Sequence, residues 1–195
     1  DKRIGVPAGG RADLIVRIPK KGAARVQVGS TTSFVIRSSA VRGKQPPQPS
    51  QPVRALDLLS YGTPEKVAIA AEKPDRTFQY SIGRRIGFLD GKPGYWWTIN
   101  GHLFPDIPMF TVREGDLVKF HIDNHSGESH PMHLHGHHAL VVARDGRPVT
   151  GGPLWVDSID VENGETMDLL FRADNPGIWM DHCHNLPHAA QGLVS

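Results

Sequence analysis

Residues 113 to 123 read REGDLVKFHID, and the last seven of them decide the fold class. Val118, Phe120 and Ile122 alternate with Lys119, His121 and Asp123, the period-two pattern of a strand with one buried face. The REGD before it is a turn signal. Short runs of the same kind recur outward in both directions: RADLIVRIP, ARVQVG, SFVIRS and TFQYSI on one side, ALVVARD, TMDLLFRAD and GIWMDHC on the other. GKPG, ENGE and DNPG mark turns between them. With 21 glycines, 16 prolines and no long helical periodicity, the pattern predicts an all-β chain, a sandwich or barrel of Greek-key type.

A chain of 195 residues has room for one ordinary domain and part of another. The stretch GKQPPQPSQPV, residues 43 to 53, denies backbone donors to any ladder and reads as an extended linker. Three short strands precede it, too few to close a sandwich. The expected organisation is therefore residues 1–42 as the closing strands of a preceding β domain, 43–54 as the linker, and 55–195 as a nearly complete domain. The chain opens DKRIGVPAGG without an initiating methionine, so its natural start is expected upstream, and the lack of a secretory signal says little about compartment. A formal charge of +2 and no basic stripe argue against a nucleic-acid surface, and no apolar run is long enough to span a membrane.

Eleven histidines are many for this length, and eight fall in two clusters: HPMHLHGHH at 130–138 and HCHNLPH at 182–188. The second contains Cys183, the only cysteine, which excludes an internal disulfide and leaves a buried filler, a nucleophile or a metal ligand. Side chains on a strand alternate faces, so His182 and His184 point one way and Cys183 the other. The same rule sets His133 and His135 against His130. On one side this gathers Cys183, His130 and His188, a His₂Cys set suited to a blue-copper electron-transfer centre. On the other it gathers His133, His135, His182 and His184, four imidazoles that suit several copper ions better than one. Zinc fits poorly, since its structural sites take several cysteines at short spacings, and a cysteine nucleophile leaves four histidines unexplained.

HPMHLHG and GIWMDHCHNLPHAAQGL resemble the third and fourth copper-binding motifs of the multicopper oxidases, the family of laccases and related enzymes. The likeness runs on through YWWTINGHLFP and FTVREGDLVKFHIDN, and GVPAGGRADLIVRIP resembles the closing strands of the middle domain in three-domain members. The resemblance implies a cupredoxin-like domain, preceded by the remnant of another, in a laccase-like oxidase. It implies that His130, Cys183 and His188 bind the type 1 copper, His133 the type 2 copper, and His135, His182 and His184 the type 3 pair. Electrons would enter near His188 from a phenol, an aromatic amine or a metal ion. They would pass through Cys183 and its flanking His182 and His184 to a trinuclear cluster that reduces O2 to water. Leu193 stands where many members place an axial methionine; it donates no lone pair, which raises the expected potential. The family setting implies an extracytoplasmic, secreted or periplasmic location.

The sequence also departs from the family. The first two motifs, HxHG and HxH, supply four more cluster histidines from an N-terminal domain, and outside the two clusters only His102, His121 and His125 remain, at unsuitable spacings. The chain reads as the C-terminal part of a larger enzyme. The alternative is an isolated electron-transfer module with only the type 1 site functional. Some bacterial members carry a proton-feeding glutamate after the second type 1 histidine; here it is Ala189, with Asp181 the nearest substitute. His137 and His138 read as structural or surface residues, the four methionines as core, the four tryptophans as packing, and Asn124 in NHS as a chance glycosylation match.

Overall fold

The computed structural model describes residues 2–18, 20, 22–38, 46 and 53–195. Most of the expected linker, 43–45 and 47–52, lies outside these. The chain divides into two compact units: Asp1–Arg3 with Ala12–Ala55, and Ile4–Arg11 with Leu56–Ser195.

In the smaller unit, β1 (Ala23–Val28) and β2 (Thr32–Arg37) form an antiparallel hairpin in which Val28 faces Thr32. Gly29 enters the loop at a φ of 63°. The expected strand in RADLIVRIP does not form over 11–18. A strand needs a ladder partner, and none of the described residues pairs with this stretch. Leu14 is 57% and Ile15 104% exposed.

The larger unit contains α1 (Ala68–Ala71), β3 (Arg76–Leu89), β4 (Lys92–Ile99), β5 (Leu117–Asn124), β6 (His130–Leu134), β7 (Ala139–Arg144), β8 (Arg147–Pro148), β9 (Trp155–Val156), β10 (Ser158–Val161), β11 (Thr166–Arg172), β12 (Asp181–Cys183) and α2 (Leu186–Ala190). A large sheet runs in the order β4-β3-β5-β11-β7-β8, with β9 also paired to β7, and a three-stranded sheet runs β10-β6-β12. Strand β5 carries the alternation that its sequence predicts, with Val118, Phe120 and Ile122 buried and Lys119, His121 and Asp123 half-buried. Its inward residues join Tyr80, Ile82, Trp97, Val141, Leu169 and Phe171 in one core, to which Met132, Val161 and Cys183 of the small sheet also belong. Each large side chain buried there contributes roughly 1.5–3 kcal/mol.

Two expectations change here. Only Asp181–Cys183 of GIWMDHC is strand. Ile178, Trp179 and Met180 are exposed, and the Trp179 Nε1–H donates to the Asn175 carbonyl, folding the segment back on itself. The methionines also divide: Met132 and Met167 are core, while Met109 and Met180 are exposed.

Candidate metal centre

Strands β6 and β12 pair antiparallel with His182 opposite His133 and Cys183 opposite Met132. Residues directly opposite share a face, so the pairing sorts the histidines. Met132 and His130 lie on the Cys183 side, and His133 lies with His182. The third member of the cysteine side arrives on a helical turn. Asn185 stands at the N-cap position of α2 without a side-chain capping bond, Pro187 lies in the first turn, and the His188 N–H donates to the Asn185 carbonyl at 2.8 Å.

Cys183 Sγ is 3.5 Å from His130 Nδ1 and 3.7 Å from His188 Nδ1, and the two Nδ1 atoms are 3.1 Å apart. All three residues are buried. Burial pushes His130 down to about 4, helped by the neighbouring His188 and Arg84, and it also lowers His188. Burial pushes the Cys183 thiol up to about 11. Two neutral imidazoles and a thiol therefore turn their lone pairs toward one point, and a cation there would favour the thiolate and release its proton. A soft sulfur with two imidazoles fits copper.

The far edges of these rings are held. His130 Nε2–H donates to Ser126 Oγ at 2.7 Å, and Ser126 in turn donates to Asn124 Oδ1 at 2.7 Å. Asn124 is fully buried and its amide donates to the carbonyls of Val161 and Glu128, so it is no glycosylation acceptor in this fold. His188 Nε2 lies 3.0 Å from the Asn185 amide and 3.4 Å from a Glu128 carboxylate oxygen. On His130 the Ser126 hydroxyl, as acceptor, fixes the tautomer that leaves Nδ1 free; on His188 the Glu128 carboxylate favours that tautomer, whereas the Asn185 amide, a donor, favours the other.

The other face gathers the remaining four histidines. His135 Nε2 and His182 Nε2 are 3.1 Å apart. The rings of His133 and His135 are 4.6 Å apart between centroids, and His184 lies 5.4 Å from His133 and 5.5 Å from His182. His133 Nδ1–H donates to the Asp157 carbonyl and His182 Nδ1–H to the Cys183 carbonyl, which leaves both Nε2 lone pairs free. Burial lowers His135 and His182, keeping them neutral. Gly9, at a φ of 79°, lies so close to His184 that an added Cβ would fall 2.5 Å from its ring. The same segment is tied down by Ser158 Oγ–H donating to the Ala8 carbonyl and by an Arg11–Asp157 ion pair at 2.7 Å.

The other histidines stand apart from both groups. His102, His121 and His125 each face a carboxylate, of Asp106, Asp168 and Asp123 respectively. His137 packs on Phe171 and Trp179, and His138 lies 3.8 Å from Asp157. Leu193 is fully buried, and its carbonyl accepts the Cys183 N–H. Asp181 is buried deeply enough to push its carboxyl up to about 7, beside an apolar cavity lined by Phe120, Met132 and Ile159.

Sequence reasoning missed three contributors. Trp97 is buried with its ring 4.6 Å from His130 and 4.5 Å from His188, and its Nε1–H donates to Gln191. The signal was present in YWWTI, where alternation turns one tryptophan inward. The other tryptophans are not all packing residues, since Trp155 and Trp179 are exposed. Ser126 and Arg84 carried no signal in the sequence.

A multicopper oxidase family model matches residues 75–195, more than half of the chain. The multicopper oxidase MmcO of Mycobacterium tuberculosis is 36% identical over 101 residues, covering 52% of this chain and 19% of that protein. The iron multicopper oxidase fer1 of Mycosarcoma maydis is 34% identical over 105 residues, covering 47% of this chain and 16% of that protein. Among solved structures, the blue copper oxidase of Nitrosomonas europaea matches at a TM-score of 0.52 and 27% identity, covering 60% of this chain and 39% of that one. The chain thus spans 19% or less of the length of these two curated relatives.

Proposed function

This chain belongs to the multicopper oxidase family, and from that premise we propose that it is the C-terminal, cupredoxin-like part of a laccase-like oxidase. In this reading His130, Cys183 and His188 hold a type 1 copper. His133 serves a type 2 copper, and His135, His182 and His184 a type 3 pair. Residues 1–42 are the end of a preceding domain, and an N-terminal domain supplies the cluster histidines that this sequence lacks. Copper, when bound, supplies one-electron oxidation of a reducing substrate on the cysteine side and reduction of O2 to water on the four-histidine side.

The observation that carries the reading is the buried triangle of Cys183 Sγ and two Nδ1 atoms, backed along the same strand by histidines facing the other way. Cys183 is covalently continuous with His182 and His184, so one three-residue stretch reaches both faces and gives electrons a short through-bond route. His188 is the entry residue, since its Nε2 edge reaches Glu128, whose side chain is 49% exposed. Buried Leu193 excludes water and offers no donor to the cysteine side. We assign a phenol or similar small donor as the substrate and an extracytoplasmic setting. Among the described residues no helix is long and apolar enough to cross a membrane.

Copper titration tests this directly. The chain should develop an intense blue Cu(II)-thiolate absorption that Cys183→Ser abolishes, and a colourless complex refutes the assignment. Copper per chain separates the two functions: one ion marks an electron-transfer module alone, and more marks a cluster completed by a further domain. Oxygen uptake by the full-length gene product, with a phenol, ferrous ion and cuprous ion as rival reductants, identifies the donor.

A further inference from the structure

Arg84 stands on β3 opposite Trp97 of β4. Its guanidinium lies 4.1 Å over the Trp97 ring and 4.8 Å over the Tyr95 ring, and Trp97 in turn packs on both His130 and His188. Its Nη1 is 3.2 Å from one oxygen of Glu128, whose other oxygen is 3.4 Å from His188 Nε2. Arg84 Nε is buried and has no hydrogen-bond partner among the described residues. A fixed positive charge therefore reaches the cysteine side by two routes, through an indole and through a carboxylate.

Packing alone does not call for this arrangement. An apolar side chain would cover Trp97 without orphaning an N–H, and the Arg84–Glu128 pair is partly exposed, at 25% and 49%, where ion pairs contribute little to stability. We propose that Arg84 raises the reduction potential of the copper held by His130, Cys183 and His188, and that Glu128 is the opposing charge that partly offsets it. The inference rests on the type 1 reading given above.

The physics is a charge balance. Reduction adds one electron and converts Cu(II) to Cu(I), with no bond made or broken and no proton moved, so the oxidised centre carries one more positive charge. Guanidinium stays charged at all relevant pH. Held against a tryptophan that is 1% exposed, its field crosses protein rather than water and disfavours the more positive state. Glu128, whose carboxylate lies 3.4 Å from His188 Nε2, places a charge of the opposite sign beside the same ligand.

The test is an equilibrium redox titration of the blue absorption against mediators, in the copper-loaded full-length protein. Arg84→Met should lower the midpoint, shifting the ratio of oxidised to reduced centre by about tenfold, or about 59 mV for one electron. Arg84→Lys keeps the charge and should stay near the unsubstituted value, and Glu128→Gln should shift the midpoint upward. An intact blue band with an unchanged or raised midpoint in Arg84→Met overturns the proposal. So does Arg84→Lys falling as far as Arg84→Met, because charge is then not the cause. If Arg84→Met takes up no copper, Glu128→Gln decides, and an unchanged or lowered midpoint there is fatal. Failure of the unsubstituted protein to turn blue is a different result: it removes the type 1 reading, and this inference with it.

Discussion

Ser126 acts on the centre without facing its donor atoms. By accepting the Nε2–H of His130 and donating to buried Asn124, it fixes which nitrogen of that ring carries the proton. Ser126→Ala should weaken copper binding by roughly 10–100-fold in competition with a chelator, while costing only about 1 kcal/mol of stability. A loss of stability with unchanged affinity would reduce Ser126 to a packing residue. Far from the site, Asp168 faces Lys119 at 2.8 Å and His121 at 2.5 Å. Burial pushes its carboxyl up, but the hydrogen bonds from Lys119 and His121 outweigh burial and leave it below the ordinary value. A depressed folded-state pKa stabilises the fold above the unfolded value of about 3.9 and stops doing so as the pH falls from there through the folded value. Asp168→Asn should therefore cost about 1 kcal/mol at pH 7 and progressively less below pH ~4, as read by denaturant unfolding at both pH values. What the sequence reveals at this scale follows from parity. Alternation along β6 and β12 sorts His130 and Cys183 from His133 and His182, whereas Ser126 and Arg84 reach the centre through loop closure and cross-strand pairing, which no local pattern encodes.

Turns explain where elements were legible and where they were not. GKPG is a turn signal, yet the structure turns one residue earlier: Asp90 and Gly91 take φ of 51° and 74°, and Leu89 pairs with Lys92. Two central residues at positive φ make a type I′ hairpin, and Pro93 is then tolerated because β4 is an edge strand. Asn100-Gly101 and Asp145-Gly146 repeat the device. α2 escaped notice because five residues give no periodicity, although its capping position and proline stood in NLPH. Glycine requirements can be tested in pairs. A Cβ on Gly91 would meet nothing within 4 Å, so Gly91→Ala should cost only the backbone strain of about 1–2 kcal/mol. At Gly136, φ is 74° and the Cβ would fall 2.4 Å from the Trp179 ring. Gly136→Ala should therefore exceed Gly91→Ala, with a melting temperature lower by a further ~2–4 °C for each kcal/mol of displaced tryptophan. Equal losses would mean that Trp179 swings aside freely.

For the molecule as a whole, the metal centre is a debt of burial that a cation should offset. Three polar side chains lie within a core that otherwise holds Trp97, Met132, Val161 and Leu193. Without a cation the thiol is protonated and the imidazoles neutral, with nitrogens 3.1 Å apart that one proton at most can bridge. A ligand that binds only the folded chain stabilises it by RT ln(1 + [L]/Kd), about 4.1 kcal/mol at a thousandfold excess over Kd. At ~2–4 °C per kcal/mol, copper should raise the melting temperature by roughly 8–16 °C. Cys183→Ala should abolish most of this rise while changing the metal-free melting temperature far less. His133→Ala, on the opposite face of β6, should leave the response to the first equivalent of copper intact. If instead His133→Ala removes the response and Cys183→Ala preserves it, the first ion binds among the four histidines, and the cysteine side is not the strong site.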